Sequence, residues 1–262
     1  METPFTQELV HEVPLVGAPL VRVIGQVRFP KAFDFDQPET LKLLRVGLTD
    51  AYPVANVGKS AQITIGPEGV AQGQPQAVLR CQSADGSWQV SVTESFVSLD
   101  TGSYASRADF AQRFKSILQV VFAAISPPII ERIGVRYINR ICALDLRAQL
   151  DRWVEPELHS GVSIPLGEAT LVHSFSESLF EWNESRLLAR WGWLPSGAVP
   201  DASVQPVETV SWQLDLDAFV EGRFPPDADT IGAKVVSLAE SGHRFFRRAT
   251  TQQLLVDLGG QA

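Results

Sequence analysis

Residues 129–141 read IIERIGVRYINRI. β-Branched and aromatic content makes this a strand. Its two-residue period puts Ile133, Val135, Tyr137 and Asn139 on one face and Arg132, Arg136 and Arg140 on the other, with Gly134 and Ile138. Three arginines then line one face of a single strand. The stretch also divides the chain, because the residues on its N-terminal side read as one packed unit and those on its C-terminal side as another.

Working backward, Ser106 and Asp109 form a capping box. The helix they open carries Phe110, Phe114, Ile117, Leu118, Val121, Phe122 and Ile125 as one apolar stripe that ends at Pro127 and Pro128. Before it, residues 77–82 and 87–96 flank Ala84, Asp85 and Gly86, and Asp-Gly between alternating runs is a hairpin signal. A short strand, 61–65, leads into a glycine-rich loop, 66–73. Pro38 opens a helix with Leu41, Leu44 and Leu48 at helical spacing that stops before Pro53. The first strand, 18–30, turns Val21, Val23, Val27 and Phe29 inward and Arg22, Gln26 and Arg28 outward. Residues 1–142 are thus expected to form a β-α-β-β-β-α-β domain.

Working forward, residues 145–154 suit a short helix with Leu146, Leu150 and Trp153 inward. Strands are expected over 170–182, 186–194 and 210–217. Asn183 and Glu184 turn between the first two, and a Pro/Ser/Gly-rich loop, 195–206, precedes the third. After Pro225, Pro226 and Asp227 a helix buries Ile231, Val235, Leu238 and Phe245 or Phe246. A last helix, capped by Thr250 with Gln253, stops at Gly259. The expected class is α+β, as two halves (1–142 and 143–262), each a mainly antiparallel sheet with helices on one face. The second half is acidic and Trp-rich and ends in helices.

A chain of 262 residues with 45% hydrophobic content buries a core without staples. Cys81 and Cys142 have no metal-type spacing, and the N-terminus lacks the basic and apolar regions of a secretory leader. Reduced thiols in a cytoplasm are therefore expected. No uncharged apolar run reaches the roughly 18 residues of a membrane span. Residues 1–142 hold 13 basic and 13 acidic side chains and 143–262 hold 9 and 17, so the formal charge of −8 sits wholly in the second half. That balance argues against a general nucleic-acid binder.

Gly58, Lys59 and Ser60 look like the tail of a phosphate loop, but Pro53 stands where its first glycine belongs and a strand comes next in place of a helix. Gly66, Gly69 and Gly73 lack dinucleotide spacing. His11, His159, His173 and His243 are scattered, so no metal is expected. Asp215 and Asp217 share a strand face that could hold a cation; the ordinary account is a half-exposed strand with Trp212, Leu214 and Leu216 buried and the acids solvated. Asp34 and Asp36 invite the same account. No nucleophile signature is present, and no cofactor is expected.

His243, Arg244, Arg247 and Arg248 crowd the long C-terminal helix, either as an anion grip or as a solvated face paired with acids. Trp182, Trp191, Trp193 and Trp212 fall on adjacent strands, as core or as a partner surface. Arg22 and Arg28 could join Arg132, Arg136 and Arg140, with Arg80 nearby. Their complement is either the acidic second half, with Glu177, Glu181, Asp215 and Asp217, or an external anion. The attached acids are always at high effective concentration, which favours a seam between the halves.

Three stretches, APLVRVIGQVRFP, RIGVRYINRI and HRFFRRATTQQLLVDLG, resemble a sporadically distributed family of bacterial and archaeal proteins of about this length. In that family the opening reads like a proline-leucine pair before a strand ending in Arg-Phe, and the centre like Arg-Tyr-Ile-Asn. The resemblance implies a stand-alone protein with no agreed activity, cofactor or catalytic residue. Its patchy distribution is like that of genes in toxin-antitoxin or phage-defence loci. The function expected is that of a non-enzymatic cytoplasmic binding or regulatory protein working through a protein partner or self-association, away from membranes. The alternatives are an enzyme or ligand-binding protein for a phosphorylated or nucleotide substrate held by the arginine face, and RNA binding by the same face.

Overall fold

A computed structural model of the chain describes residues 17–259 apart from 61–62, 67–68, 73–75, 144, 165–166 and 202–203. Along the chain run β1 (Leu20–Arg28), α1 (Pro38–Leu48), β2 (Val54–Ser60), β3 (Ile63–Gly66), β4 (Gly69–Gln72), β5 (Gln76–Gln82), β6 (Trp88–Thr93) and β7 (Phe96–Thr101). Then come α2 (Arg107–Ile125), β8 (Ile130–Ile141), α3 (Leu146–Trp153), β9 (Ser174–Trp182), β10 (Ser185–Leu194), β11 (Ser211–Phe224), α4 (Ala228–Ala249) and α5 (Gln252–Asp257). None of these helices is long and apolar enough to cross a membrane.

The class is α+β, but the expected pair of sheets is corrected. Nine strands form one sheet in the order β2-β5-β6-β7-β1-β8-β11-β10-β9, and β3 pairs with β4 separately. The reason lies in β8. Ile133, Val135 and Ile138 are fully buried, and Asn139 and Arg140 nearly so, so both faces of the strand are covered. Such a strand needs a hydrogen-bonded neighbour on each side. It takes β1 from the first half of the sequence and β11 from the second.

Compactness divides the chain into two units whose segments alternate along the sequence. One comprises Ile24–Gly134 with Glu221–Val236; the other holds Val135–Val220, residues from Ser237 onward, and the start of β1 up to Val23.

In the first unit α2 rests on β1 at Gly25, where an added Cβ would come within 3.0 Å of the rings of Phe110 and Phe114. The missing side chain lets the helix approach the strand closely. Ser106 caps α2, its hydroxyl accepting from the Asp109 amide at 3.1 Å. α1 seals the same side with Leu44 and Leu48. The β5–β6 turn takes Gly86 to φ 71°. There the Asp85 carboxylate accepts from the Ser83 hydroxyl at 2.5 Å and the Ser87 amide at 3.1 Å. These bonds hold its pKa down to about 2.

Several expectations for the first half of the sequence need correction. Residues 87–96 are not one strand: Thr93 Oγ1 accepts from the amides of Ser95 and Phe96 and reverses the chain between β6 and β7. Val21 is 36% exposed and not inward. Strand β2, which contains Gly58, Lys59 and Ser60, has no counterpart in the sequence reading. The glycine-rich run is partly strand, since Gly69–Gln72 pairs with Ile63–Gly66; the remainder of the run (67–68, 73), like 61–62 of the expected strand, lies outside the described residues.

In the second unit β9, β10 and β11 are antiparallel neighbours with Arg190 opposite both Glu177 and Asp215. Phe245 of α4 meets Phe180 of β9 at 5.4 Å between ring centroids, and Tyr137 packs on Gly242 of α4. Helix α5 is capped by Thr251, not Thr250. The Thr250 hydroxyl donates to the Phe246 carbonyl at 2.8 Å.

Candidate functional site

Strand alternation places Arg132, Arg136 and Arg140 on one face of β8. Arg132 folds back over Gly134, its Nη1 2.7 Å from where a Cβ would stand. Arg136 is the most strongly held. Its Nε and Nη2 donate to the two carboxylate oxygens of Asp215 at 2.7 and 2.6 Å, and its Nη1 donates to Asp201 at 2.6 Å. The fork of a guanidinium matches a carboxylate edge to edge, which fixes direction as well as charge. Burial opposes the charge of Arg136, but the hydrogen bonds and charges of Asp215 and Asp201 outweigh it and raise its pKa.

The ladder continues outward. Arg190 Nη1 lies 4.0 Å from Asp215, and its Nε donates to Glu177 at 2.6 Å. Further along the same two strands, Arg186 pairs with Glu181 at 2.7 Å. Charges of alternating sign therefore cross β8, β11, β10 and β9 from Arg136 to Glu177. Asp215 is 3% exposed, which corrects the account of a solvated acid on a half-exposed strand. Ser211 and Gln213, on the same face of β11, are fully buried.

The loop after β10 lies across this face. Asp201 grips Arg136, and the Gln205 carbonyl accepts from Arg140 Nη1 at 2.6 Å. Arg140 Nη2 reaches Gln213 Oε1 at 3.4 Å. Burial lowers the pKa of Arg140. On β1, Arg22 is half-buried and Arg28 exposed, and Arg80 of β5 lies against Gly58.

The tryptophans point to the opposite face. Trp191 pairs with Leu214 and Trp193 with Trp212 in the β10–β11 ladder; Trp182, Trp191 and Trp193 are half-buried, and Trp212 is 1% exposed. The basic run on α4 does not form one surface. Arg244 is 2% exposed and bonded to Glu240 at 2.6 Å, Arg247 reaches Gln252 at 3.4 Å, and Arg248 stands out in solvent 3.7 Å from Glu157. His243 is half-buried. His159 is buried, with Nε2 2.9 Å from the Val154 carbonyl, and His173 stacks on Phe175, while His11 lies outside the described residues. Among the described residues no three metal-type side chains converge.

Asp201, Gln205, Ser211 and Gln213 were not singled out in the sequence. The one signal was on β11, where Ser211, Gln213, Asp215 and Asp217 alternate as a polar stripe, a pattern that a strand with one solvated face shares. The chain matches no protein-family model and no curated protein.

Proposed function

We propose that this is a non-enzymatic binding protein that acts through a protein partner, and that the partner docks as an extended segment along β2. The observation that carries this reading is the uncharged, exposed run that opens that edge. β2 ends the strand order, so among the described residues nothing pairs with its outer side. Soluble proteins guard such edges with charge, proline or a bulge. Here Val54, Ala55, Asn56 and Val57 carry no charge, Val54 and Val57 are 54% and 55% exposed, and the guards stand only at the ends, Pro53 before the strand and Lys59 near its close. The other edge, β9, is guarded by Glu177 and Glu181 in their ion pairs.

Beside β2 runs a groove of about 660 Å³ against α1, lined by Leu41, Val46, Ala55, Val57 and Leu79 among others. Its charged lining groups are Lys42 and Arg45, both basic. The complementary partner is an acidic segment that adds a strand through its backbone and sets alternate apolar side chains into the groove. Free thiols at Cys81 and Cys142 fit a reducing cytoplasm. The family resemblance would put such a partner in a toxin-antitoxin or phage-defence locus. The nucleotide and RNA alternatives have less to draw on, because Arg136 already spends its donors on Asp201 and Asp215.

Photo-crosslinking residues placed at Val46 and Val57, with Val256 as a control, test this in the native host. One partner captured through an acidic segment at both positions and not at Val256 is the expected result. Capture of a second copy of the chain alone, or of nothing, would sink the reading.

A further inference from the structure

Arg140 differs from Arg136 although the two lie on the same face of β8. It is 6% exposed, yet no carboxylate pairs with it among the described residues, and its Nε has no hydrogen-bond partner. Gln213 and Ser211 are both fully buried, and Gln213 Nε2 and Ser211 Oγ are likewise without a partner. Gln213 gives its carbonyl oxygen to Arg140 Nη2 at 3.4 Å, which leaves its amide nitrogen with no bond to the guanidinium. Ser211 stands two residues earlier on the same face of β11. Three polar groups able to donate, one of them cationic, thus stand on neighbouring strands with too few acceptors among the described residues. Buried polar groups are almost always satisfied, and a buried cation almost always has a counter-charge.

We propose that Arg140, Gln213 and Ser211 form a subsite for a small oxyanion, the phosphate or carboxylate group of a ligand. Its oxygens take the Nε hydrogen of Arg140, an amide hydrogen of Gln213 and the hydroxyl of Ser211. Its charge supplies what Asp215 supplies to Arg136. Unmet donors beside an unpaired cation suit a compact, multiply accepting group. A single buried water accepts only two hydrogen bonds and brings no charge.

The test uses the whole chain. Thermal unfolding is followed in inorganic phosphate, sulfate or acetate, each against chloride at equal ionic strength, with affinity measured by calorimetry. At least one oxyanion is expected to raise Tm at millimolar concentration, and phosphate or sulfate against acetate tells a phosphoryl from a carboxylate ligand. Ser211→Ala, which keeps the fold and removes one donor, should weaken that affinity about tenfold. Gln213→Glu places a carboxylate beside Arg140, so it should raise Tm without added oxyanion and abolish the oxyanion-dependent shift. No shift over chloride in the wild type overturns the proposal. A shift equally large in S211A and Q213E overturns it too, since it would mark an adventitious ion only.

Discussion

Arg136 gives two donors to Asp215 and one to Asp201, but the two carboxylates stand in different surroundings, 3% and 25% exposed. Removing the buried one strands a cation, whereas solvent can replace much of the other. Asp215→Asn should therefore cost about 3 kcal/mol in urea unfolding, and Asp201→Asn about 1 kcal/mol. Equal losses would show that the ladder does not depend on burial. Acid acts elsewhere, at the Asp85 turn. With a folded pKa of about 2, below the ordinary value of about 3.9, the turn is stabilised above pH 4 and loses that contribution as pH falls through 2. Carboxyl chemical shifts followed by NMR should place the Asp85 midpoint near 2, and one near 4 would show the turn bonds do not form. At this scale the sequence shows the arginine stripe and its partner Asp215, because alternation fixes a side chain's face. Asp201 and Gln205 stay hidden, since a loop that crosses a sheet leaves no period to read.

Helix α2 and strand β8 were plain in the sequence because many apolar residues repeat at one period and both ends are marked. β2, β7 and the β3–β4 pair were not. β2 is exposed on both faces and so shows no alternation, β7 is split from β6 by a turn with neither glycine nor proline, and glycines conceal the β3–β4 pair. The α2–β1 contact offers a measurement at the scale of elements. Gly25→Val would drive a branched side chain into the rings of Phe110 and Phe114, at a cost of about 2–3 kcal/mol in urea unfolding. An unchanged midpoint would show that the helix can lift from the strand without loss.

For the whole molecule, two runs of strands and helices on either side of residue 142 suggested two sheets, yet strand pairing depends on backbone neighbours and not on order along the chain. β8 is completed by strands from both sides of that position. A fragment of residues 1–142 should accordingly give no cooperative unfolding transition by circular dichroism, because it exposes the edge of β8 and lacks the acids that neutralise Arg136. A sharp transition would show that the first half is self-sufficient.

The two ends of the sheet differ in kind, one hydrogen-bonding rim armoured by ion pairs and the other open along Val54 to Val57. A sheet with two bare rims is a monomer for fibre growth, since every addition leaves a fresh end. Here the far rim is closed, so growth can run only from β2. If the addition is a second copy, meeting rim to rim across a twofold axis, it uses both open ends at once, and the assembly closes at two.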